Sequence, residues 1–293
     1  MSSDVLSFIG IQFLNGLAIS LLLFLLATGL SLIFGMMDVI NLAHGSFFLL
    51  GTYIGLTIVA QTGSFWLALL VTPLLIGALG LLVERYLIRP LYQRSPLDQV
   101  LLTFGLAFVF MDIAKWIWGA DVLGLAPPSF LDGSAPLLGG QFPKYRLFLI
   151  GISLVMAALL YYVNQRTSYG AVIRAGVADR EMVGGLGINI VRVFAVVFGI
   201  GTALAGLSGV VAGPIYSAFP GLDFQVLILT LIVVVVGGMG TLKGSFWGSL
   251  LIGEAQTFGQ ALFPDFALFL VFAIMAAVLL LRPAGLFGRE TVG

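Results

Sequence analysis

Apolar residues run along the chain in nine blocks, near 10–34, 45–61, 65–87, 97–118, 147–163, 190–212, 224–239, 245–262 and 266–281. A helix needs roughly 20 apolar residues to cross a bilayer, so each block predicts a membrane-spanning helix. The second, seventh and eighth blocks are short or interrupted by glycine. Runs such as Leu21-Leu22-Leu23-Phe24-Leu25-Leu26 and Val233-Val234-Val235-Val236 do not alternate with polar residues. A lipid-facing barrel strand alternates, so the pattern predicts an all-α polytopic membrane protein of one domain, 1–293.

One segment between blocks is too polar to cross. It runs 164–189, from Asn164-Gln165-Arg166 to Gly187-Ile188-Asn189. Ala171, Ala175, Ala178, Met182 and Leu186 recur at three- or four-residue spacing and share one helical face, while Arg174, Arg180 and Glu181 fall largely elsewhere. Gly184-Gly185 and Gly187 end the helix before the next block. The segment reads either as an ordinary interfacial loop or as a surface helix offered to another protein.

Composition agrees. Of 293 residues, 60% are hydrophobic and 9% charged, where soluble domains carry about 25% charged residues. Net charge is zero, which leaves no basic footprint for nucleic acid. With no cysteine there is no disulfide, thiolate metal site or thiol nucleophile. Met1-Ser2-Ser3-Asp4 lacks the positive start of a secretory signal, so the first block reads as a retained span.

Basic residues set the expected orientation. Arg85, Arg89 and Arg94, then Arg166, Arg174, Arg180 and Arg192, then Arg282 and Arg289 fall on one side of nine spans. Lys115, Lys144 and Arg146 fall on the other, balanced by Asp112, Asp121 and Asp132. The bias predicts an outside N-terminus and a cytoplasmic C-terminus. The outer segment from Gly119 to Tyr145 holds Pro127, Pro128, Pro136 and Pro143 and is expected to be irregular, either a connector or a dock for an outside partner.

Two stretches resemble each other. Asn41-Leu42-Ala43-His44-Gly45-Ser46-Phe47-Phe48 and Gly240-Thr241-Leu242-Lys243-Gly244-Ser245-Phe246-Trp247 each open an apolar helix after a glycine-ended run. The third span of each set ends in Arg-Pro, at Arg89-Pro90 and Arg282-Pro283. This predicts a weak internal repeat with two interrupted helices, an arrangement that puts transporter sites near the bilayer midplane.

The polar residues near these breaks are the candidate path: Asn41, His44, Gly45, Ser46, Gly238, Gly240, Thr241, Lys243, Gly244 and Glu254. Asn41 reads as a helix cap. His44 reads equally as a pore-side group or as a packed, hydrogen-bonded one. Lys243 either reaches water, pairs with a carboxylate or snorkels to the interface. Glu254, mid-span, must be protonated, paired or beside water, because a bare charge there costs about 2.5–3.5 kcal/mol; it reads equally as a functional acid or as an interhelical hydrogen bond in a packed bundle. Bulky side chains at Ser46 or Gly244 are expected to block uptake without loss of assembly. Gly201, Ala205, Gly209 and Gly213, and Gly240, Gly244 and Gly248, are spaced for close helix packing. Gly238 to Ser245 is not a phosphate loop, because the order is Lys-Gly-Ser rather than Gly-Lys-Ser/Thr. Nothing here predicts an enzyme, a metal or a cofactor bound by this chain.

Several motifs, in one order over almost the whole chain, resemble the LivH-type permeases of branched-chain amino acid ABC importers. They are Phe34-Gly35-Met36-Met37 with Asn41-Leu42-Ala43-His44-Gly45; Tyr169-Gly170, Arg174-Ala175 and Gly187-Ile188-Asn189; Gly237-Gly238-Met239-Gly240-Thr241 with Gly244; and Leu281-Arg282-Pro283 with Gly285-Leu286-Phe287-Gly288. Lys243 departs from the family pattern. The resemblance implies a multi-pass permease of a bacterial inner membrane, working by ATP-driven alternating access. It implies a second related permease, two ATP-binding subunits that hold ATP and Mg, and an extracytoplasmic substrate-binding protein. Tyr169, Gly170, Arg174, Ala175, Gly176, Asp179, Arg180 and Met182 would then couple to the ATPase. Substrates would be branched-chain or other neutral amino acids, with urea or a small organic acid as alternatives. A secondary transporter using Glu254 as its coupling acid is the competing mechanism.

Overall fold

The computed structural model describes residues 2–288; Arg289 lies outside them. The helices are α1 (Ser2–Met37), α2 (His44–Thr62), α3 (Phe65–Val83), α4 (Pro96–Trp118), α5 (Lys144–Arg166), α6 (Ser168–Ala178), α7 (Arg180–Gly185), α8 (Ile190–Tyr216), α9 (Leu222–Gly237), α10 (Leu242–Leu262) and α11 (Ala267–Leu281). Among the described residues seven helices are long and apolar enough to cross a membrane, and α9 with α10 forms a pair bent by 119°. The nine apolar blocks therefore correspond to α1–α5 and α8–α11.

Polar residues start the elements. Ser64 accepts a hydrogen bond from the Leu67 amide, Ser95 from Asp98, Thr167 from Gly170, Asp179 from Met182, Asn189 from Arg192 and Thr241 from Gly244. Each satisfies one amide that the first helical turn leaves unpaired.

α1 and α8 form the centre. Of the apolar window of α1, 78% is buried, against 11% for α5 and for α11. The outer helices turn large side chains outward, among them Leu70, Leu74, Trp116, Val155, Phe269 and Leu280, as expected where the solvent is lipid. α8 packs on α1, α2 and α3, and α1 packs on α10.

Glycine sets these contacts. A methyl group on Gly51 would overlap the Gly206 backbone, one on Gly209 the Phe48 carbonyl, one on Gly29 the Gly201 carbonyl and one on Gly35 the Gly240 Cα. The spaced small residues thus form seams within this one chain.

Three departures from the expected pattern have physical causes. α1 starts earlier than residue 10, because a β-hairpin supports its first turns: β1 (Ser134–Leu137) pairs antiparallel with β2 (Gly140–Pro143), and Gly10 and Ile11 meet Leu138 and Gly140. The outer segment is therefore partly ordered rather than wholly irregular. α3 does not stop at residue 87 but runs through one π turn to a 3-10 turn ending at Leu91. That path brings Arg89 and Tyr92 to the buried Glu84, which accepts bonds of 3.2 and 2.9 Å from Arg89 and another from the Tyr92 hydroxyl. Burial and then the Glu84 bond push the Tyr92 hydroxyl well above its ordinary pKa, so it remains a donor.

The bend between α9 and α10 offers a test. A Cβ on Gly237 would overlap the Gly244 carbonyl. Gly237→Val should cost about 1–3 kcal/mol or more through overpacking and lower the yield of monodisperse detergent-extracted protein. Gly105→Ala and Gly151→Ala, with nothing within 4 Å of the added carbon, should extract like wild type. Equal yields for all three would contradict the close packing described.

Candidate functional site

The predicted path residues separate into two places. The first is the start of α2. After Met37 the chain makes a short loop, with Asp38 at φ 55°, and α4 anchors it: Thr103 Oγ1 accepts from the Leu42 amide and donates to the Ile40 carbonyl, both at 3.2 Å. Asn41 Oδ1 accepts from the Ala43 amide at 3.1 Å. Asn41 thus shapes the turn before the helix rather than capping it; Ala43 holds the cap position, with no side-chain bond.

His44 is fully buried. Its Nε2 lies 3.0 Å from the Leu26 carbonyl in α1. This is the geometry of a packed, hydrogen-bonded histidine. Gly45 lies against the Asp223 carbonyl, and Ser46 Oγ donates to Asp223 Oδ2 at 3.0 Å. Asp223, in the first turn of α9, is 1% exposed. The sequence reading passed over it because it sits at the edge of an apolar block. Its Oδ1 and the nearby Tyr53 hydroxyl are buried without a hydrogen-bond partner among the described residues. The starts of α2 and α9 thus meet through one polar pair inside the bundle.

The second place is a cavity of about 450 Å³ at the end of α1. Its polar wall includes Asp38, Asn164, Gln165, Arg174, Thr241 and Lys243. Here α6 rests on α1: Gly176 meets the Met36 side chain, and Val177 lies near Gly240, which packs on Gly35. Arg180 makes an ion pair of 3.0 Å with Asp38. Path residues Gly240, Thr241 and Lys243 therefore stand with Arg174 of the coupling segment, and not with His44 and Ser46.

Several candidates have a structural duty here. Thr241 caps α10 and also donates to the Gly238 carbonyl at 2.9 Å. Gly238 and Gly240 hold φ of 100° and 78°, left-handed geometry that favours glycine. Gly244 has no room for a methyl beside Gly237, and Ser46 is equally enclosed. Lys243 is exposed at the cavity mouth. Glu254 belongs to neither place: it packs over Gly16 beside a lateral groove with Trp247 and Leu251.

The segment 164–189 is two helices rather than one. Its first residues finish α5, and Asp179 at φ −159° separates α6 from α7 and caps α7. Gly170, Gly176 and Val183 are buried against the body, while Tyr169, Ala171, Ala175, Ala178, Met182 and Leu186 are exposed. The small apolar face read from the sequence is the outward one. Arg174 is half-buried, with Nη1 unpartnered in the cavity wall.

The family described as "Branched-chain amino acid transport system / permease component" matches residues 12–279. The chain belongs to this family, and is accordingly a transport component rather than an enzyme. It is 29% identical over 300 residues to the high-affinity branched-chain amino acid transport system permease protein BraD of Pseudomonas aeruginosa, covering 96% of both chains. It is 29% identical to LivH of Escherichia coli over 313 residues, covering 100% of this chain and 99% of the relative. A probable LivH of Methanocaldococcus jannaschii is 24% identical over 92% of this chain and 89% of its own. Among solved structures, PsaBC from Streptococcus pneumoniae in complex with Fab matches with a TM-score of 0.50 at 12% identity, over 91% of this chain and 89% of that chain; this likeness concerns the fold alone.

Removing the buried pair should be costly. A hydrogen bond contributes about 0.5–1.5 kcal/mol, and leaving its buried partner unsatisfied costs about 1–3 kcal/mol, so Ser46→Ala should lower the melting temperature of the purified protein measurably. Ser46→Leu should abolish folding rather than leave an assembled but blocked permease. An assembled, inactive Ser46→Leu protein would restore the plug interpretation.

Proposed function

We propose that this member of the branched-chain amino acid permease family is one of two related permeases in an ABC importer for branched-chain or other neutral amino acids. In this reading two ATP-binding subunits dock on 164–189, and ATP with Mg is bound there rather than in this chain. An extracytoplasmic binding protein delivers the solute at the opposite face. The N-terminus lies outside and the cytoplasmic C-terminus inside a bacterial inner membrane, and 1–293 works as one permease domain.

The observation that carries this reading is the outward apolar face of α6 and α7 at the mouth of the α1 cavity. A face of Ala171, Ala175, Ala178 and Met182 beside an exposed Tyr169 is left uncovered by the described residues. The contacts behind that face supply a route for motion. Gly176 presses on Met36, and Arg180 holds Asp38. The loop after Asp38 leads directly to His44, Gly45 and Ser46. Movement of a docked subunit would thereby reach both the cavity at Lys243 and the paired starts of α2 and α9. A nucleotide shifts such an equilibrium only through different affinities for the two states, and the docked face is where that difference is applied. Gly238 and Gly240 supply the hinge between α9 and α10, and Glu254 flanks the seam that the solute passes.

Arg174→Glu should leave the assembled complex intact, retain ATP hydrolysis and reduce solute uptake by roughly tenfold in proteoliposomes. Unchanged uptake would remove Arg174 from the coupling route. Because the native chain has no cysteine, Ala175→Cys labels one site only. It should react from the cytoplasmic side and cross-link to an ATP-binding subunit; labelling solely from outside would overturn both the orientation and the docking.

A further inference from the structure

A second polar cavity, of about 370 Å³, lies at the other end of α1. Asn15 in its wall and Leu32 in the wall of the first cavity are separated by roughly 25 Å of helix, at 1.5 Å per residue. The two cavities therefore open toward opposite ends of the bundle. Between them α1 and α10 are packed shut. Ser20 donates to the Leu250 carbonyl at 3.3 Å, Phe24 meets Phe246 edge to face at 5.4 Å, and Ser31 accepts from the Gly240 amide at 3.1 Å.

The walls of this second cavity come from four helices: Gln12 and Asn15 of α1, Arg146 of α5, Tyr216 of α8, and Gln256 and Gln260 of α10. Arg146 is the one charged residue lining it, and no carboxylate lines it among the described residues. The guanidinium is held in place. Its Nη1 donates to Asn15 Oδ1, and Asn15 Nδ2 donates to Gln12 Oε1 at 3.3 Å. A guanidinium has five N–H donors, so this bond to a neutral amide fixes its orientation and leaves its charge uncompensated. Gln256 Oε1 is buried with no hydrogen-bond partner among the described residues. The cavity falls within the roughly 300–1,000 Å³ range of small-molecule sites.

We propose that this cavity is a receiving site for the carboxylate of the transported solute. Arg146 pairs with the carboxylate, because a planar fork matches two carboxylate oxygens and is less strongly hydrated than an ammonium. The Gln256 carbonyl accepts from the solute's ammonium group. The site thereby favours zwitterionic amino acids and small carboxylates over neutral solutes. This assignment rests on the importer reading above for the direction of travel, and adds to it the chemical group that is recognised.

Gln260 stands exposed at the cavity and supplies a reporter. In the complete importer carrying Gln260→Cys, the rate at which a methanethiosulfonate reagent labels this chain is measured with each of three probes. L-leucine and 4-methylpentanoate, which both carry the carboxylate, should slow labelling at least threefold. L-leucinamide, which lacks it, should leave the rate unchanged. Adding Arg146→Gln should abolish the protection and Arg146→Lys should restore part of it. Should Arg146→Gln fail to assemble, Gln256→Leu, which leaves the Arg146–Asn15 bond intact, should weaken protection by L-leucine more than by 4-methylpentanoate. Equal protection by L-leucinamide, no protection by either carboxylate, or full protection in the Arg146→Gln background overturns the site. Uptake of L-leucine by the same proteoliposomes separates the two readings: uptake without protection sinks the cavity alone, and absence of uptake sinks the importer's substrate class.

Discussion

Backbone contact between α1 and α10 is the constraint on which the rest of the structure depends. In lipid no hydrophobic force draws helices together, so association rests on close packing and on hydrogen bonds between helices. The α1–α10 seam uses both. Gly35, Gly240 and Gly253 let the backbones approach, Gly16 leaves room for the Glu254 side chain, and Ser20 and Ser31 bond across the gap. With α1 held this way, its two ends become the floors of the two cavities, and α8 closes on its other side through Gly29 and Gly201.

The same seam suits the chain to the driven part that the proposed importer would assign to it. A packed seam has two discrete arrangements more readily than a continuum of them, because close-packed interiors do not deform smoothly. α10 begins at a bend of left-handed glycines, Gly238 and Gly240, and α6 rests against the opposite member of the pair. Force applied at α6 therefore acts on α1 near the hinge rather than on the lipid-facing helices, which have few internal contacts to transmit it.

Much of this was legible in the residue order. Nine apolar blocks became nine helices because, in a solvent that cannot bond to the backbone, length and apolarity nearly determine the element. Boundaries moved where tertiary contact intervened, as at Gly10 beside the hairpin and at Leu91 beyond Glu84. Roles were harder to read. Thr241 and Asn41 looked like path residues, yet their oxygens bond to local amides, a use that a sequence cannot separate from solute contact. Asp223 was missed because a single acid at the end of a run gives no periodic signal, and its partner Ser46 lies far away in the chain. The outward face of α6 was visible as a spacing, but whether it pointed inward or outward depended on Gly170 and Gly176 pressing against α5 and α1.

The Asp38–Arg180 contact has a consequence for how such a protein cycles. Both side chains are at least half exposed, at 66% and 50%, and a pair that wet holds with only about 0–1 kcal/mol. A bond so slight adds almost nothing to the resting shape. It resembles a clutch plate more than a rivet: breaking and remaking it costs little, and mobile ions, which screen exposed charges over about 10 Å at 0.1 M, would set how firmly it grips.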